Sequence, residues 1–448
     1  MRQRLSAATG ASLLLSACAG TPPEVMIPVV EAPPAYATNL PPSGIERDWW
    51  LGYDDPVLDS LVRRGLAANL DIDAATDRLG SAAALLRAER SDFVPSVDGT
   101  AEVGASLAND SQITATAGLF GLFNPDINGR LAAEVRAAAA DYAEAEYLLA
   151  DQRRIVASAI ASQYIEYRRT GAQLELLEQS TDLQEQTLRI VTLRFEAGLA
   201  ANLDVRRAAA DLAQTRARRG LIEIARNEAQ SALAVLLAEP PGAFAVPSTD
   251  DARIPDYGRG PPAGIPADLL RRRTDILAAE ARLAQAAAAI GIERADLRPS
   301  LTIPGTLGIG DGTLGGLFSD FLIGIGAALD LPLFDGGRRR AEVEAAEFEA
   351  QARVAEYNAV FLNALGEVEN ALVAIEAYRQ RSAALSEAIE ESEVALSQSN
   401  ALYREGLASL FDVLDAQRQL IASRQSLIDS EASLANSYTA FHAAIGSL

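Results

Sequence analysis

The chain contains no lysine: all 39 basic residues are arginine, set against 61 acidic residues for a formal net charge of −22. Without lysine there is no Schiff-base amine and no phosphate-loop ammonium. An anionic balance of that size argues against a nucleic-acid surface, because phosphate binding needs surplus cations on the contact face. One histidine, His442, and one cysteine, Cys18, leave no set of soft metal ligands and no Cys–His dyad. A hydrolase built on carboxylates alone passes this filter, but no pocket-forming motif accompanies it. Proline is missing between Pro125 and Pro240 and again after Pro332. Those two tracts are rich in Ala, Leu, Glu, Gln and Arg, strong helix formers, and they read as very long helices.

What the chain does have is a second copy of itself. Asp71 to Ser96 realigns without a gap on Asp275 to Ser300, roughly 204 positions later, with about half the positions matching. Downstream, Arg194 to Val205 returns about 208 positions on as Leu402 to Val413. One unit has been duplicated, and function has to be asked of the pair.

The N-terminus has the grammar of a secretory signal. Arg2 and Arg4 precede an apolar segment ending in Leu13-Leu14-Leu15, followed by Ser16-Ala17-Cys18-Ala19-Gly20. The segment is too short to span a bilayer. Leu15-Ser16-Ala17-Cys18 resembles the bacterial lipobox, which implies a signal peptide over 1–17 and a diacylglyceryl and N-acyl lipid on Cys18; the alternative is a small residue in a signal cut elsewhere. Ala19 rather than Asp in the next position fits sorting to the outer membrane. Prolines 22, 23, 28, 33, 34, 41 and 42 make 18–47 an extended tether.

The first repeat spans 48–240 and the second 267–448, separated by a linker or equatorial segment at 241–266. In the first, Leu58, Leu61, Val62, Leu66 and Leu70 are spaced for a helix from Pro56 to about Ser91. The period then changes to two. Val97, Gly99, Ala101 and Val103 alternate with Ser96, Asp98, Thr100 and Glu102, and Ile113, Ala115, Ala117 and Leu119 alternate with Thr114 and Thr116. The second repeat does the same with Leu301, Ile303, Leu307 and Ile309, and with Phe321, Ile323, Ile325, Ala327 and Leu329. These runs predict β-hairpins at about 93–122 and 299–332. Runs of about ten residues with this dyad pattern suit strands of a transmembrane β-barrel; amphipathic hairpins on a soluble core are the alternative. Four strands cannot close a barrel, which needs about eight, and open edges cannot remain in lipid, so the barrel reading requires oligomerisation. Each repeat then runs into a helical hairpin, about 130–238 and about 338–445, turning at Gly198 or Gly406. Leu174, Leu177, Leu183, Leu188 and Val191 form a narrow stripe of coiled-coil type.

Several motifs in order resemble the outer-membrane factor family, the TolC-like and OprM-like exit ducts of efflux and secretion systems. They are Arg273-Thr274-Asp275-Ile276 with Ala279-Glu280, Ile290-Gly291 with Arg294-Ala295 and Pro299-Ser300, Leu331-Pro332-Leu333-Phe334-Asp335-Gly336-Gly337-Arg338, and Tyr403-Arg404-Glu405-Gly406 followed by Asp412-Val413-Leu414-Asp415-Ala416-Gln417. The resemblance implies a mixed α and transmembrane β fold: a homotrimer in which each internally duplicated protomer gives four strands to a 12-stranded barrel continued by a periplasmic α-helical barrel. It implies that the shorter helices stack end to end. It implies a duct without enzymatic activity, served by a periplasmic adaptor protein and an inner-membrane pump of the resistance-nodulation-division type, exporting small molecules such as drugs or toxic compounds across the periplasm and outer membrane. A type I protein secretion duct and a non-channel coiled-coil envelope lipoprotein are the alternatives. Asp412 and Asp415 stand where the family's constricting aspartates lie, with Phe411 beside them, and are the positions for a cation; helix capping is the other reading of two such aspartates. Asp204 and Tyr403 match a latch between the two hairpin tips. The chain departs from the pattern at Ala408 and Leu203, which replace a latch arginine and threonine, leaving Arg206 or Arg207 as substitutes, and at Asn124-Pro125-Asp126-Ile127-Asn128-Gly129-Arg130, which replaces an aromatic turn.

Overall fold

The computed structural model describes residues 48–107, 111–247, 253–258, 270–309 and 321–446. Cys18, the apolar leader and the tether lie outside the described residues, as do parts of 241–266. The chain divides into two compact units that cut across the sequence repeats. The described residues of one fall within 75–148 and 275–360; those of the other fall within 48–74, 149–274 and 361–446.

The first unit holds the sheet: β1 (Ser96–Leu107), β2 (Ser111–Phe123), β3 (Ser300–Ile309), β4 (Phe321–Ile325) and β5 (Ala328–Asp330). All pairings are antiparallel, in the order β1-β2-β3-β4, with β5 also on β3. Four strands are expected, and β4 and β5 keep one register: Gly305 faces Ile325 and Thr302 faces Ala328. The interruption falls opposite Pro304, which has no amide hydrogen to donate. Only the reciprocal bond remains, from Gly326 N to Pro304 O at 2.9 Å.

Paired residues in a sheet share a face. Val97 pairs with Gly121, Val103 with Ala115, Leu119 with Leu307, Leu307 with Ile323, Gly305 with Ile325 and Leu301 with Leu329. The odd-numbered positions therefore form one apolar face, on which Ile323 and Ile325 are 74% and 86% exposed. Asp98, Thr100, Glu102, Thr114, Thr116, Ser300, Thr302, Thr306 and Asp330 share the other face. Phe120, Leu122 and Leu322 also lie there, so the polar face is less uniform than strict alternation predicts. β1 and β4 end the strand order, each with one edge unpaired among the described residues.

The helices repeat in length as well as in sequence. α3 (Arg130–Glu196) and α7 (Arg338–Arg404) have 67 residues each, on the order of 100 Å at 1.5 Å per residue. Aspartates cap both starts. Asp126 accepts from the Leu131 and Ala132 amides, both at 2.9 Å, so the divergent Asn124–Arg130 turn still serves α3. Asp335 accepts from the Gly337 and Arg339 amides at 2.9 and 3.2 Å.

The helix expected from Pro56 to Ser91 is two, α1 (Pro56–Ala68) and α2 (Leu70–Ser91). Asn69 breaks it, with its backbone extended and its side-chain oxygen accepting from the Asp71 and Ile72 amides at 3.0 and 3.2 Å. Its side-chain nitrogen donates to Leu236 O at 2.9 Å, the last carbonyl of α5 (Arg219–Leu236). The second repeat builds the same junction with Arg273, the residue aligned with Asn69: its guanidinium donates to Ala444 O, the last carbonyl of α8 (Leu410–Ala444), beside the start of α6 (Thr274–Ala295). Arg273 is also 2.8 Å from Glu367. These contacts lie within the second unit. The return helix of the first repeat is itself divided at Arg218 into α4 (Asn202–Ala217) and α5, two residues before Gly220, a poor helix former.

The second unit also buries an aromatic group at the C-terminal end of α8. Trp49, in a 3-10 turn (Trp49–Tyr53), stacks on His442 with ring centroids 5.3 Å apart, and Tyr257 stacks on Tyr438 at 4.7 Å. The Tyr53 hydroxyl donates to Ala435 O at 2.7 Å. The sole histidine is thus a packed core residue.

Candidate functional site

The proposed gate residues lie at the tips of the two helical hairpins, inside the second unit. Both long helices end in the same way. Gly198 and Gly406 take positive φ, 74° and 78°, where a Cβ would be strained. The next residue's amide reaches back, Leu199 N to Arg194 O and Leu407 N to Leu402 O, each 2.8 Å, closing the carbonyls that a helix end leaves unpaired.

The return helices start differently. Ser409 caps α8 in a reciprocal box with Asp412: the carboxylate accepts from the Ser409 amide at 2.8 Å and hydroxyl at 2.7 Å. These hydrogen bonds hold the Asp412 carboxyl below the usual carboxylate range. Ala201 occupies the aligned position before α4 and offers no side-chain cap, so Asp204 has no such partner. Asp412 therefore has the capping role weighed from sequence, and its exposed position leaves it open to the pore role as well.

Along α8, Leu410, Val413, Leu414, Gln417 and Leu420 are buried, while Phe411, Asp412, Asp415 and Arg418 are exposed. Each buried aliphatic here stabilises the fold by roughly 1.5–3 kcal/mol, and this row fixes which way the exposed row points. Arg418 reaches over Phe411, 5.9 Å from the ring centroid, and lies 4.0 Å from both Asp415 and Asp211. The acidic face thus contains a cation that spacing alone did not reveal. Among the described residues no cluster of three or more His, Cys, Asp or Glu can hold a metal ion, so a cation between Asp412 and Asp415 would need carboxylates from further copies.

Tyr403 is 8% exposed and packs with Val191, Ala208, Leu396 and Val413. Its hydroxyl is buried without a hydrogen-bond partner among the described residues, so no hydrogen bond joins it to Asp204. The two are still in electrostatic reach: burial raises the Tyr403 pKa, the Arg194 charge opposes that rise, and Asp204 adds to it. Arg194 ties the two hairpins together directly. Its guanidinium sits over the Tyr403 ring, 4.8 Å from the centroid, and donates to Arg404 O at 3.1 Å, a terminal carbonyl of α7. Arg206 stays local, donating to Asn202 at 3.4 Å. Sequence reasoning missed Arg194 because its partners come from the other repeat. Deeper in the same packing, the Gln417 amide donates to Thr187 at 2.7 Å.

Among the described residues no helix is long and apolar enough to cross a membrane. The sequence profile of a family described as "Outer membrane efflux protein" matches residues 61–239 and 265–447. The chain is 30% identical to nodulation protein T of Rhizobium leguminosarum bv. viciae, over 99% of this chain and 93% of that protein. It is 29% identical to the pyoverdine export outer membrane protein OpmQ of Pseudomonas aeruginosa, over 93% and 91%. It superposes on the structure of the outer-membrane channel OprN with a TM-score of 0.85 at 28% identity, covering 96% of this chain and 99% of that one. With its duplicated hairpins, two-faced sheet and these likenesses over nearly its whole length, the chain belongs to the outer membrane efflux protein family.

Proposed function

We propose that three copies of this chain form the outer-membrane exit duct of a tripartite efflux system, receiving small molecules from an adaptor and an inner-membrane pump of the resistance-nodulation-division type. The carrying observation is the sheet. Its register gathers the apolar residues on one face and leaves β1 and β4 each with an unpaired edge. In hydrocarbon an open edge leaves amides and carbonyls unsatisfied at several kcal/mol each, so the edges must pair with something. Identical copies supply both edges at once, β1 of one against β4 of the next, which closes a ring of 12 strands with the polar face inward.

The tip residues then face a common axis. Asp412 and Asp415 from the copies surround it, admitting cations and repelling anions, while Arg194, Tyr403 and Asp204 hold the hairpins together. The protein does no covalent chemistry in this scheme. A lipid on Cys18 tethers the N-terminus to the membrane that the sheet crosses. Relatives named for nodulation and for pyoverdine export match this chain over nearly its whole length, consistent with cargo choice residing in the pump.

Purified in detergent, the protein should have a trimer's mass by light scattering and conduct in planar bilayers. Replacing Asp412 and Asp415 with Ala should weaken block by divalent cations. A stable monomer, or a trimer with no conductance even after Asp204 and Tyr403 are replaced, would contradict the duct.

A further inference from the structure

Beyond β5, which ends at Asp330, the chain carries Leu331, Leu333 and Phe334, and Leu333 and Phe334 are 91% and 93% exposed. The chain then turns through Gly336 and Gly337, both at positive φ, into α7, which opens with Arg338, Arg339 and Arg340.

These three arginines are not equivalent. Arg339 lies 3.4 Å from Asp335 and Arg338 lies 3.6 Å from Glu342. Both line a cavity of about 510 Å³ with Ser300 and Asp330, which belong to the polar face. Arg340 is not among the residues lining that cavity, is exposed, and has no ion pair or hydrogen-bonding partner among the described residues. The helix N-terminus is already served by Asp335, so its amides are not left for an outside anion.

We propose that Leu333, Phe334 and Arg340 form an interfacial anchor for an anionic phospholipid: the two apolar side chains enter the acyl boundary, and the Arg340 guanidinium pairs with the headgroup phosphate. This rests on the exit-duct reading, in which the apolar face meets lipid. At the limit of a hydrocarbon band, aromatic side chains settle at headgroup level and long cationic ones extend beyond it. Ile325, Leu329, Leu333, Phe334 and Arg340 follow one another along the chain in that order. A guanidinium matches two phosphate oxygens through parallel N–H donors, and among the described residues no carboxylate is ion-paired with Arg340.

The test places a reporter at the site. Phe334→Trp, or Leu333→Trp if the first fails to assemble, is reconstituted as the full-length oligomer in bilayers containing brominated phosphatidylglycerol or brominated phosphatidylcholine. Fluorescence quenching is compared with that of the parent protein. The brominated anionic lipid should occupy the site with a preference of about fivefold, the contribution expected of one arginine near a membrane surface. Adding Arg340→Gln should bring the preference close to one. Inorganic phosphate at the same concentration should leave it unchanged. Equal quenching by the two lipids overturns the proposal, as does a preference that survives Arg340→Gln or is abolished by inorganic phosphate. Absence of quenching by either lipid also overturns it, because the segment would then be covered by another copy. Conductance of the same sample reports separately on the duct, so a conducting oligomer without lipid preference removes the anchor and leaves the channel standing.

Discussion

At the second hairpin tip, Ser409 and Asp412 link a local folding signal to the proposed gate. The depressed pKa of Asp412 means that its charged form is favoured by folding. The capping contribution is therefore fully present above the ordinary carboxylate pKa and is lost as pH falls through the lower, folded value. If the same carboxylate also attracts cations in the pore, acidification should relieve divalent block. Ser409→Ala should move the midpoint of that relief to higher pH in single-channel recordings; an unmoved midpoint would separate the cap from the gate. Arg194 makes a second prediction. Removing its cation–π contact and its hydrogen bond to Arg404 O should weaken the tip by about 1–2 kcal/mol. Arg194→Ala should then raise the open probability, while a closed, unaltered channel would assign the latch elsewhere. These residues were unevenly legible. A Ser three positions before an Asp at a helix start announces itself locally, and the likeness of Asp412 and Asp415 to the constricting aspartates was visible in the motif. Nothing local distinguishes Arg194 or Arg418 from the other arginines, because their partners are fixed only when distant helices pack.

The long helices were legible from the tracts without proline, and the alternation of the strands correctly gave the faces of the sheet. The break at Asn69 was not legible, since asparagine inside a helix costs only a few tenths of a kcal/mol. What makes it a break is Leu236 O, a partner far along the chain. The aligned ends of α5 and α8 provide a test at this scale. Ala238 and Gly446 occupy equivalent positions just past them, with φ of 56° and 75°. At Ala238 the turn is closed by Glu239 N to Ala234 O at 2.8 Å and Ala238 N to Val235 O at 3.0 Å, but with a residue whose Cβ opposes that conformation. Ala238→Gly should stabilise this end by about 1 kcal/mol, read as a higher temperature of oligomer dissociation. A lower temperature would mean that the methyl group packs well enough to outweigh the strain.

For the molecule as a whole, two strand edges without a partner among the described residues leave the sheet unfinished, and identical copies are the partners proposed for them. The sequence bears on that proposal, because a barrel's minimum strand number exceeds what one chain offers; how the compact units divide the repeats was not legible, since it depends on which distant segments touch. One feature of the helix junctions reaches further. Asn69 meets Leu236 and Arg273 meets Ala444, so each repeat supplies both sides of its own seam. Neither seam depends on the peptide between the repeats. A gene cut within 241–266 and expressed as two pieces should therefore show fragment complementation, each half-chain arriving with its splice already made and the halves meeting along β2 and β3. Failure of the co-expressed fragments to restore export would mean that the connecting segment is itself structural.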